Sequence, residues 1–281
     1  MSGTLYVVAT PIGNLEDITL RALRVLREVD LIAVEDTRRT ARLLSHHGIS
    51  TRTISFHAHN TRSRVPQLIT RLQNGSSIAV VSDAGTPGLS DPGLELVQAA
   101  ITNRIPVDPV PGASAPLTAL VASAFPMVPF TVFGFPPNRS HARMIWLETV
   151  SATEHAFSFF EAPHRIKATL TEASQLLGDR QIMAAREITK VHQEFMRGTA
   201  SEVLERLVEP RGEFTVIVGP LLNPHEDNRL KASDDEVVRE FCRLTETGAT
   251  SRREAVRLVA QGSGRTSRDV YSAIERSKKS V

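Results

Sequence analysis

The sequence predicts an α/β protein: two α/β domains, a parallel sheet and then a mixed sheet, followed by a small C-terminal helical domain. Three observations predict it. Short apolar, β-rich runs alternate with segments of helical spacing, a proline-rich uncharged stretch follows, and a second set of such runs begins at Phe130. The 281 residues, 41% of them hydrophobic, suffice for two such domains. The expected division is 1–115, a linker 116–129, a second domain 130–222, a linker 223–233 and a basic helical tail 234–281.

The elements of the first domain follow from its hydrophobic pattern. The run Leu5–Thr10 ends at Pro11 and Gly13, and apolar residues then recur at helical spacing from Leu20 to Leu26. Continued alternation predicts strands at 5–10, 31–34, 53–56, 77–81 and 105–110, and helices near 20–26, 40–47, 65–72 and 92–101. Such alternation requires right-handed crossovers, and therefore a parallel sheet.

The second domain has a different pattern. Strands are expected at 130–133, 156–160, 182–187, 191–197 and 214–218, with helices near 141–147, 166–177 and after Ala200. The strands 182–187 and 191–197 are joined so tightly that they must pair antiparallel, which makes this sheet mixed.

The uncharged stretch between Asp108 and Arg139 is long enough to span a bilayer. Its seven prolines would break the hydrogen bonding of a membrane helix, so we expect a buried crossing between the domains and no membrane partner. The single cysteine, Cys242, excludes an intrachain disulfide and a cysteine-based zinc site. Together with an N-terminus unlike a secretion signal, this favours a cytoplasmic protein.

Basic charge is concentrated at the C-terminal end. From Thr250 to Val281 eight Arg or Lys residues face three acids, a net +5, which leaves −3 for residues 1–249. The pairs Ser251 with Glu254 and Thr266 with Asp269 have the spacing of helix N-caps, and the turn 262–264 between the two helices suggests a small helix-turn-helix unit. Such a unit could bind a polyanion such as RNA. A solvated helix face, a packing appendage and a dimer element are alternatives that the sequence leaves open.

In an open parallel sheet, ligands bind outside the carboxyl ends of the strands, so the loops after the strands carry the chemistry. None of these loops contains the G-x-G-x-x-G or Walker pattern that binds a pyrophosphate. A cofactor without a pyrophosphate is therefore expected. S-adenosylmethionine, with an adenosine, an amino-acid end and a sulfonium, is such a cofactor. In the loop 82–87, Gly85 permits close backbone approach, Pro87 rigidifies the turn and Asp83 supplies a carboxylate, although composition alone favours an ordinary turn.

Six ordered motifs carry a family resemblance: 9–15 (ATPIGNL), 34–38 (VEDTR), 82–87 (SDAGTP), 111–114 (PGAS), 160–165 (FEAPHR) and 186–190 (REITK). Together they resemble the small-subunit ribosomal RNA cytidine 2′-O-methyltransferases, a branch of the tetrapyrrole methylase superfamily. The resemblance covers the chain from Leu5 to about Gly219, and the tail matches more loosely. Relatives that act on tetrapyrroles have Gly-Asp-Pro where this chain has Gly85-Thr86-Pro87, which favours the RNA branch.

The resemblance implies a homodimer that methylates a cytidine ribose in the decoding region of 16S ribosomal RNA, within the small ribosomal subunit. It also implies that S-adenosylmethionine lies folded in the cleft between the two α/β domains. By motif, the implied donor-binding residues are Pro11, Ile12, Gly13, Asp83, Ala84, Gly85, Thr86, Leu89, Ser114 and Ala115, and in the second domain Phe160, Ala185, Phe214 and Thr215.

Methyl transfer to a ribose hydroxyl requires in-line positioning and a group that removes the hydroxyl proton. The candidates are Glu35, Asp36, Glu161 and Lys190, of which loop position favours Asp36 and Lys190 as catalytic. Asp36 also suits a helix N-cap, and Lys190 an ion-paired strand end. The expected phosphate or ribose contacts are Arg38, His164 and Arg165, joined by the tail arginines Arg252, Arg253, Arg257, Arg265 and Arg268.

Two further questions concern metals and other functions. His57 and His59 alternate along the chain and could share a face, but no third ligand type is near in sequence, so we expect an ordinary loop pair and no metal. The alternative functions are a methyltransferase for a tetrapyrrole or another small molecule, and a noncatalytic RNA-binding protein of ribosome assembly. A nicotinamide-dependent enzyme is disfavoured by the missing phosphate fingerprint.

Overall fold

The computed structural model describes residues 2–88, 93–221, 233–246, 251–263 and 265–279. The chain forms two compact units, residues 1–221 and residues 222–281. The first unit contains both α/β sheets, and the second contains a bundle of helices.

The first sheet is parallel throughout, as the alternation predicts. Its strands are β1 (Leu5–Val8), β2 (Leu31–Val34), β3 (Thr53–Ser55), β4 (Ile78–Val81) and β5 (Val107–Val110), in the order β3-β2-β4-β1-β5. Every residue of β2 and β4 is buried. Burial on both faces explains why these strands are continuous apolar runs rather than alternating ones.

Helices cover both faces of this sheet. Helices α1 (Leu20–Glu28) and α2 (Thr37–His46) pack on one face, whereas α3 (Thr61–Gln73) and α4 (Leu94–Thr102) pack on the other. The loop after β1 therefore leads to one face, and the loop after the adjacent β4 leads to the opposite face. This divergence opens a crevice at the carboxyl edge, which is the usual ligand position in such sheets.

The second sheet is mixed, as predicted. It consists of β6 (Phe130–Val132), β7 (Ala156–Glu161), β8 (Gln181–Arg186), β9 (Glu194–Thr199) and β10 (Phe214–Val218), in the order β6-β7-β10-β8-β9. Only the β6–β7 pair is parallel within this sheet. The strand predicted from residue 191 begins at Glu194, because residues 187–193 form the β8–β9 loop, in which Glu187 and Thr189 adopt left-handed φ angles of 50° and 67°.

Helices also cover both faces of the second sheet. Helices α6 (Ser140–Ser151), α7 (Ile166–Leu177) and α8 (Ala200–Arg206) pack on one face. The other face is covered by α5 (Ala115–Ser123), a helix inside the segment expected as a linker. Pro116 stands in the first turn of α5, where a missing N–H costs no hydrogen bond. None of the helices in the described ranges combines the length and apolar character needed to cross a lipid bilayer.

The second unit is a three-helix bundle of α9 (Asp234–Glu246), α10 (Arg252–Ser263) and α11 (Ser267–Lys279). Both predicted N-caps form: the hydroxyl of Ser251 accepts from the N–H of Glu254, and that of Thr266 accepts from the N–H of Asp269. The prediction of a turn at 262–264 was wrong for its first two residues, which end α10, and Gly264 lies outside the described residues. Apolar residues of all three helices, including Phe241, form the bundle core.

Arg180 is a buried cation held by backbone carbonyls. Its guanidinium donates to the carbonyl oxygens of Gly219 (2.6 Å), Ser151 (2.9 Å), Thr153 (2.8 Å) and His155 (3.1 Å), and it lies over the ring of Phe157. Burial lowers the pKa of Arg180 to about 10, so the group stays charged at neutral pH. Arg180 therefore joins the end of α6 and the segment before β7 to the residue after β10.

We expect Arg180→Met to lower the free energy of unfolding by at least about 3 kcal/mol, because four buried or partly buried carbonyls lose a charged donor. Arg24→Met is the matched control, since its partner Glu28 and Arg24 itself are each 60% exposed. That change should stay within about 0.5 kcal/mol. Urea denaturation of both variants checks this, and equal midpoints would contradict the role of Arg180.

Candidate functional site

A cavity of about 420 Å³ lies in the first unit, where the carboxyl edge of the first sheet faces the second sheet. Its size is in the range of small-molecule sites. Loops of the first domain and the start of α5 form one wall: Ile12, Glu35, Arg39, Asp83, Ala84, Gly85, Thr86, Ser114, Ala115 and Pro116. Strand ends and loops of the second domain form the other: Phe135, Phe160, Glu161, Ala162, Pro163, Ile188, Lys190, Glu213, Phe214 and Thr215.

The turn after β4 is fixed to the loop after β1. The N–H of Thr10 donates to the carbonyl of Gly85 (2.9 Å), and the N–H of Gly85 donates back (3.0 Å). The hydroxyl of Thr10 also donates to the carbonyl of Ser82 (3.2 Å). Gly85 has a φ of 78°, and a Cβ there would lie 3.4 Å from Cγ2 of Ile12. The turn thus requires glycine for its conformation, and that glycine lines the cavity.

The carboxylates of Asp83 and Glu35 at this edge are held by backbone N–H groups and by Arg39. The N–H of Asp36 donates to Oδ1 of Asp83 (2.9 Å), and the N–H of Asp83 donates to Oε2 of Glu35 (3.2 Å). Arg39 lies 3.4 Å from Oδ2 of Asp83. These contacts join the loops after β2 and β4 into one wall.

Of the two residues expected to be catalytic, Asp36 does not line the cavity. Its carboxylate is the N-cap of α2 and accepts from the N–H of Arg38 (2.7 Å). Hydrogen bonds from the backbone N–H groups of Arg38 and Arg39 hold the pKa of Asp36 below its ordinary value. A carboxylate stabilised in this way is a weak base.

Lys190 does line the cavity, as an ion-paired cation. Its Nζ donates to Oε1 of Glu187 (2.8 Å) and to Oε2 of Glu213 (3.0 Å). Burial alone would lower the pKa of Lys190, but the two carboxylates outweigh it and raise that pKa. Lys190 therefore presents an ammonium group at neutral pH, which can donate a hydrogen bond but cannot accept a proton.

Glu161 is buried in a network on the opposite wall. Its carboxylate accepts from the hydroxyl of Thr169 (2.6 Å) and the N–H of Ala162 (2.8 Å), and pairs with Nε of Arg165 (3.2 Å). Arg165 also donates to the carbonyls of Pro136 and Pro137, so it connects the segment after β6 to Glu161. The two other expected phosphate contacts of these motifs, Arg38 and His164, are exposed and lie outside the cavity lining.

Most of the residues implied as donor contacts meet at this cavity: Ile12, Asp83, Ala84, Gly85, Thr86, Ser114, Ala115, Phe160, Phe214 and Thr215. Pro11, Gly13 and Ala185 do not line it, and Leu89 lies outside the described residues. The lining residues that were not among the predicted site residues are Arg39, Pro116, Phe135, Ala162, Pro163, Ile188 and Glu213, of which Ala162, Pro163 and Ile188 lie inside two of the motifs. Others stand beside a motif or a strand end, as Arg39 and Glu213 do. Their positions could predict a place in the cavity only once the order of the strands is known.

Gly13 and Ala185 make packing contacts. A Cβ on Gly13 would lie 2.5 Å from Cγ of Lys190 and 2.7 Å from Oγ1 of Thr189, and the neighbouring N–H of Asn14 donates to Oγ1 of Thr189 (3.0 Å). Gly13 thus allows the loop after β1 to touch the β8–β9 loop of the second domain. Ala185 is fully buried in the cluster beneath α5.

His57 belongs to a local turn. Its backbone N–H donates to the side-chain oxygen of Asn60 (2.9 Å), and its Nε2 lies 3.2 Å from Nδ2 of the same residue. Across the described ranges, no three His, Cys, Asp or Glu side chains gather closely enough to hold a metal ion.

The fold and the interdomain cavity define a class. The model of the family Tetrapyrrole (Corrin/Porphyrin) Methylases matches residues 4–204. Among solved structures, uroporphyrin-III C-methyltransferase from Thermus thermophilus, complexed with S-adenyl homocysteine, is similar with a TM-score of 0.55 and 18% identity, over 77% of this chain and 97% of that one. A diphthine synthase is similar with a TM-score of 0.63 and 14% identity, over 78% and 90%. At such identities these structures show the shared fold alone.

Closer relatives narrow the class. "Ribosomal RNA small subunit methyltransferase I" of Halalkalibacterium halodurans is 44% identical over 96% of this chain and 94% of its own length. The proteins of the same name from Micromonospora olivasterospora and Synechocystis are 47% and 42% identical, over 92% and 96% of this chain and 83% and 96% of their own lengths. The chain therefore belongs to the tetrapyrrole (corrin/porphyrin) methylase family, and within it to the ribosomal RNA small subunit methyltransferase I group.

Proposed function

We propose that this protein transfers a methyl group from S-adenosylmethionine to small-subunit ribosomal RNA, at the ribose 2′-hydroxyl of a cytidine in the decoding region. The observation that carries the proposal is the cavity at the carboxyl edge of the parallel sheet, which holds ten of the implied donor contacts. The relatives named above share this chain almost from end to end, which supports RNA as the substrate.

The cavity suits a donor without phosphates. Ile12, Phe160 and Phe214 offer apolar surface for an adenosine, and Gly85 leaves the backbone of its turn open to a ligand. The carboxylate of Asp83 and the polar groups of Thr86 and Ser114 suit a cationic sulfur and an amino-acid end. When bound, S-adenosylmethionine supplies an electrophilic methyl group. The walls then serve to hold the acceptor oxygen in line with it, because positioning supplies much of the catalysis in such a displacement.

Arginines provide the RNA contacts in this proposal. Arg38 stands exposed at the start of α2, beside the cavity residue Arg39. In the tail bundle, Arg252, Arg253 and Arg257 are exposed on α10, and the guanidinium of Arg252 lies over the ring of Phe241. Exposed arginines of this kind bind the phosphate backbone of a nucleic acid and fix the register of the protein on it. The proposal includes a location in the cytoplasm, because ribosomal subunits are the proposed substrate.

The same proposal includes a homodimer. Leu117 and Val121, one turn apart on the outer side of α5, are 53% and 67% exposed, and Met127 and Val128 follow at 48% and 87%. Exposed apolar residues in one segment suit a self-complementary contact with a second copy. Light scattering should give twice the 30.8 kDa of the chain, and a monomer at micromolar concentration would contradict the dimer.

The deciding experiment offers S-adenosylmethionine with a tritiated methyl group to isolated small ribosomal subunits, naked ribosomal RNA and a tetrapyrrole. Label in a 2′-O-methylcytidine of the small subunit is the expected result. Label in a base would refute ribose chemistry, and label in the tetrapyrrole would support the small-molecule alternative. Donor binding is measured separately by calorimetry, because a folded protein that does not bind the donor fits only a noncatalytic RNA-binding role.

Gly85→Ala should weaken donor affinity at least about tenfold, because a methyl group would stand at the cavity wall and the φ of 78° disfavours any side chain. Gly48→Ala is the matched control: its φ is 62°, no atom lies within 4 Å of its Cβ position, and it is outside the cavity lining. Calorimetry on both variants separates backbone strain from cavity occupation. Equal affinities in the two variants would show that the turn does not contact the donor.

Replacing Arg252, Arg253 and Arg257 together by glutamine should weaken binding to small subunits and reduce the slope of log affinity against log salt by about two, as three phosphate contacts are lost. Donor affinity should not change. A control with Arg24, Arg27 and Arg71 replaced makes the same charge change at exposed positions of α1 and α3. Filter binding over a salt series measures the slope. An equal loss of affinity in both variants would show that net charge, and not the position of the tail arginines, causes the effect.

A further inference from the structure

The four carboxylates that line the cavity differ in how their oxygens are used. Both oxygens of Asp83 are engaged, by the N–H of Asp36 and by Arg39. Those of Glu161 accept from Thr169 and Ala162. Glu213 pairs with Lys190 and is 68% exposed to solvent. Asp83, Glu161 and Glu213 are thus each paired within the protein.

Glu35 differs from the other three. Its Oε2 accepts one hydrogen bond, from the N–H of Asp83 at 3.2 Å, and within the described part of the chain its Oε1 has no hydrogen-bond partner. The side chain is half-buried at the carboxyl end of β2 and lines the cavity beside the turn that contains Gly85. A half-buried carboxylate that lines a ligand site and has one oxygen without a partner among the described residues is available to accept a proton from the ligand.

The surroundings make Glu35 a stronger base than an exposed carboxylate. Burial raises the pKa of Glu35, and the negative charges of Asp83 and Asp36 raise it further. The N–H of Asp83 and the guanidinium of Arg39 act in the opposite direction, but the pKa stays above its ordinary value. The charged groups on the opposite wall of the cavity are Glu161 and the ion pair of Lys190 with Glu213. A base with a raised pKa accepts a proton more readily once it is deprotonated.

We propose that Glu35 is the general base that removes the proton from the acceptor hydroxyl. The inference rests on the proposed function, since it requires a hydroxyl as acceptor. The hydroxyl oxygen forms a bond to the methyl carbon while the carbon–sulfur bond breaks and its electron pair stays on sulfur. The hydroxyl proton passes to the carboxylate of Glu35 and then to water. Asp36 remains the cap of α2, and Lys190 remains a cation in the opposite wall.

A purely structural role for Glu35 would be to hold the turn after β4 through the N–H of Asp83. Glu35→Gln separates the two roles, because the amide oxygen can still accept that hydrogen bond whereas the amide cannot take up a proton. A structural role therefore predicts normal activity in this variant, and a base predicts loss.

The test measures single-turnover methyl transfer to small subunits at saturating donor, from mildly acidic to mildly alkaline pH. The wild-type rate should rise with pH as Glu35 loses its proton, and then level off. We expect Glu35→Gln to transfer about a hundredfold more slowly or worse, without that rise, and to bind the donor with wild-type affinity. Glu202→Gln is the matched control: Glu202 also accepts a backbone N–H, from Thr199 at 2.7 Å, but lies outside the cavity lining, so rate and pH profile should not change.

Wild-type rate and pH profile in Glu35→Gln would overturn the inference, and so would a loss that donor affinity explains. Thermal unfolding checks that the variant is folded. If it is not, Glu35→Asp decides: a slower rate that keeps its pH dependence supports a carboxylate base, and an unchanged rate overturns one. A wild-type protein that labels no ribose would instead refute the proposed function, so the two failures are distinguishable.

Discussion

The cavity depends on the packing of α5 against the second sheet. Leu120 of α5 lies in one apolar cluster with Met183, Ala185 and Ile217 of that sheet, and Ile12 of the first domain packs on the same cluster. Burying a leucine, methionine or isoleucine side chain, such as those of Leu120, Met183 and Ile217, stabilises the protein by about 1.5–3 kcal/mol. Because this cluster joins the two sheets, residues 1–221 form one compact unit, and the loops at the edge of the first sheet face the strand ends of the second.

With the walls set by this packing, the charges in the cavity follow from local contacts. One wall carries carboxylates held by backbone N–H groups, at Asp83 and Glu35, and the other carries a buried carboxylate, Glu161, and a paired ammonium, Lys190. Nearly every charge is thus matched inside the protein, which lowers the cost of keeping charges in a partly buried site. Polar atoms that have no partner in the described part of the protein, such as Oε1 of Glu35, remain available to a ligand.

Much of this architecture could be predicted from the sequence, because β2 and β4 are apolar runs and the helices between the strands have clear periodicity. The antiparallel β8–β9 pair was predictable from its short connection. Helix α5 was not, since the seven prolines and the absence of charge between Asp108 and Arg139 indicated a crossing and a linker between the domains. Helix α5 becomes recognisable only when the second sheet and the loop after β1, against which it packs, are known.

The candidate site was predictable to the extent that it lies in motifs. Ile12 and Gly85 were indicated by family resemblance and stand in the wall, whereas Gly13 belongs to the same motif but packs against Thr189. Motif membership does not distinguish a residue that lines the cavity from one that lets two loops approach. The protonation of Lys190 and of Asp36 depended on hydrogen bonds to Glu187, Glu213 and Arg38, which no spacing in the sequence reveals.

The contact between the loop after β1 and the β8–β9 loop also has a consequence for biosynthesis. Asn14 and Thr189, which share a hydrogen bond, are 175 positions apart, whereas the first sheet is complete within residues 5–110. N-terminal domains generally fold first during synthesis, and contacts between distant residues form late because closing a long loop costs chain entropy. The first sheet can therefore form on the ribosome while the cavity still lacks its second wall, and a nascent chain gains the complete cavity only after β10 has emerged.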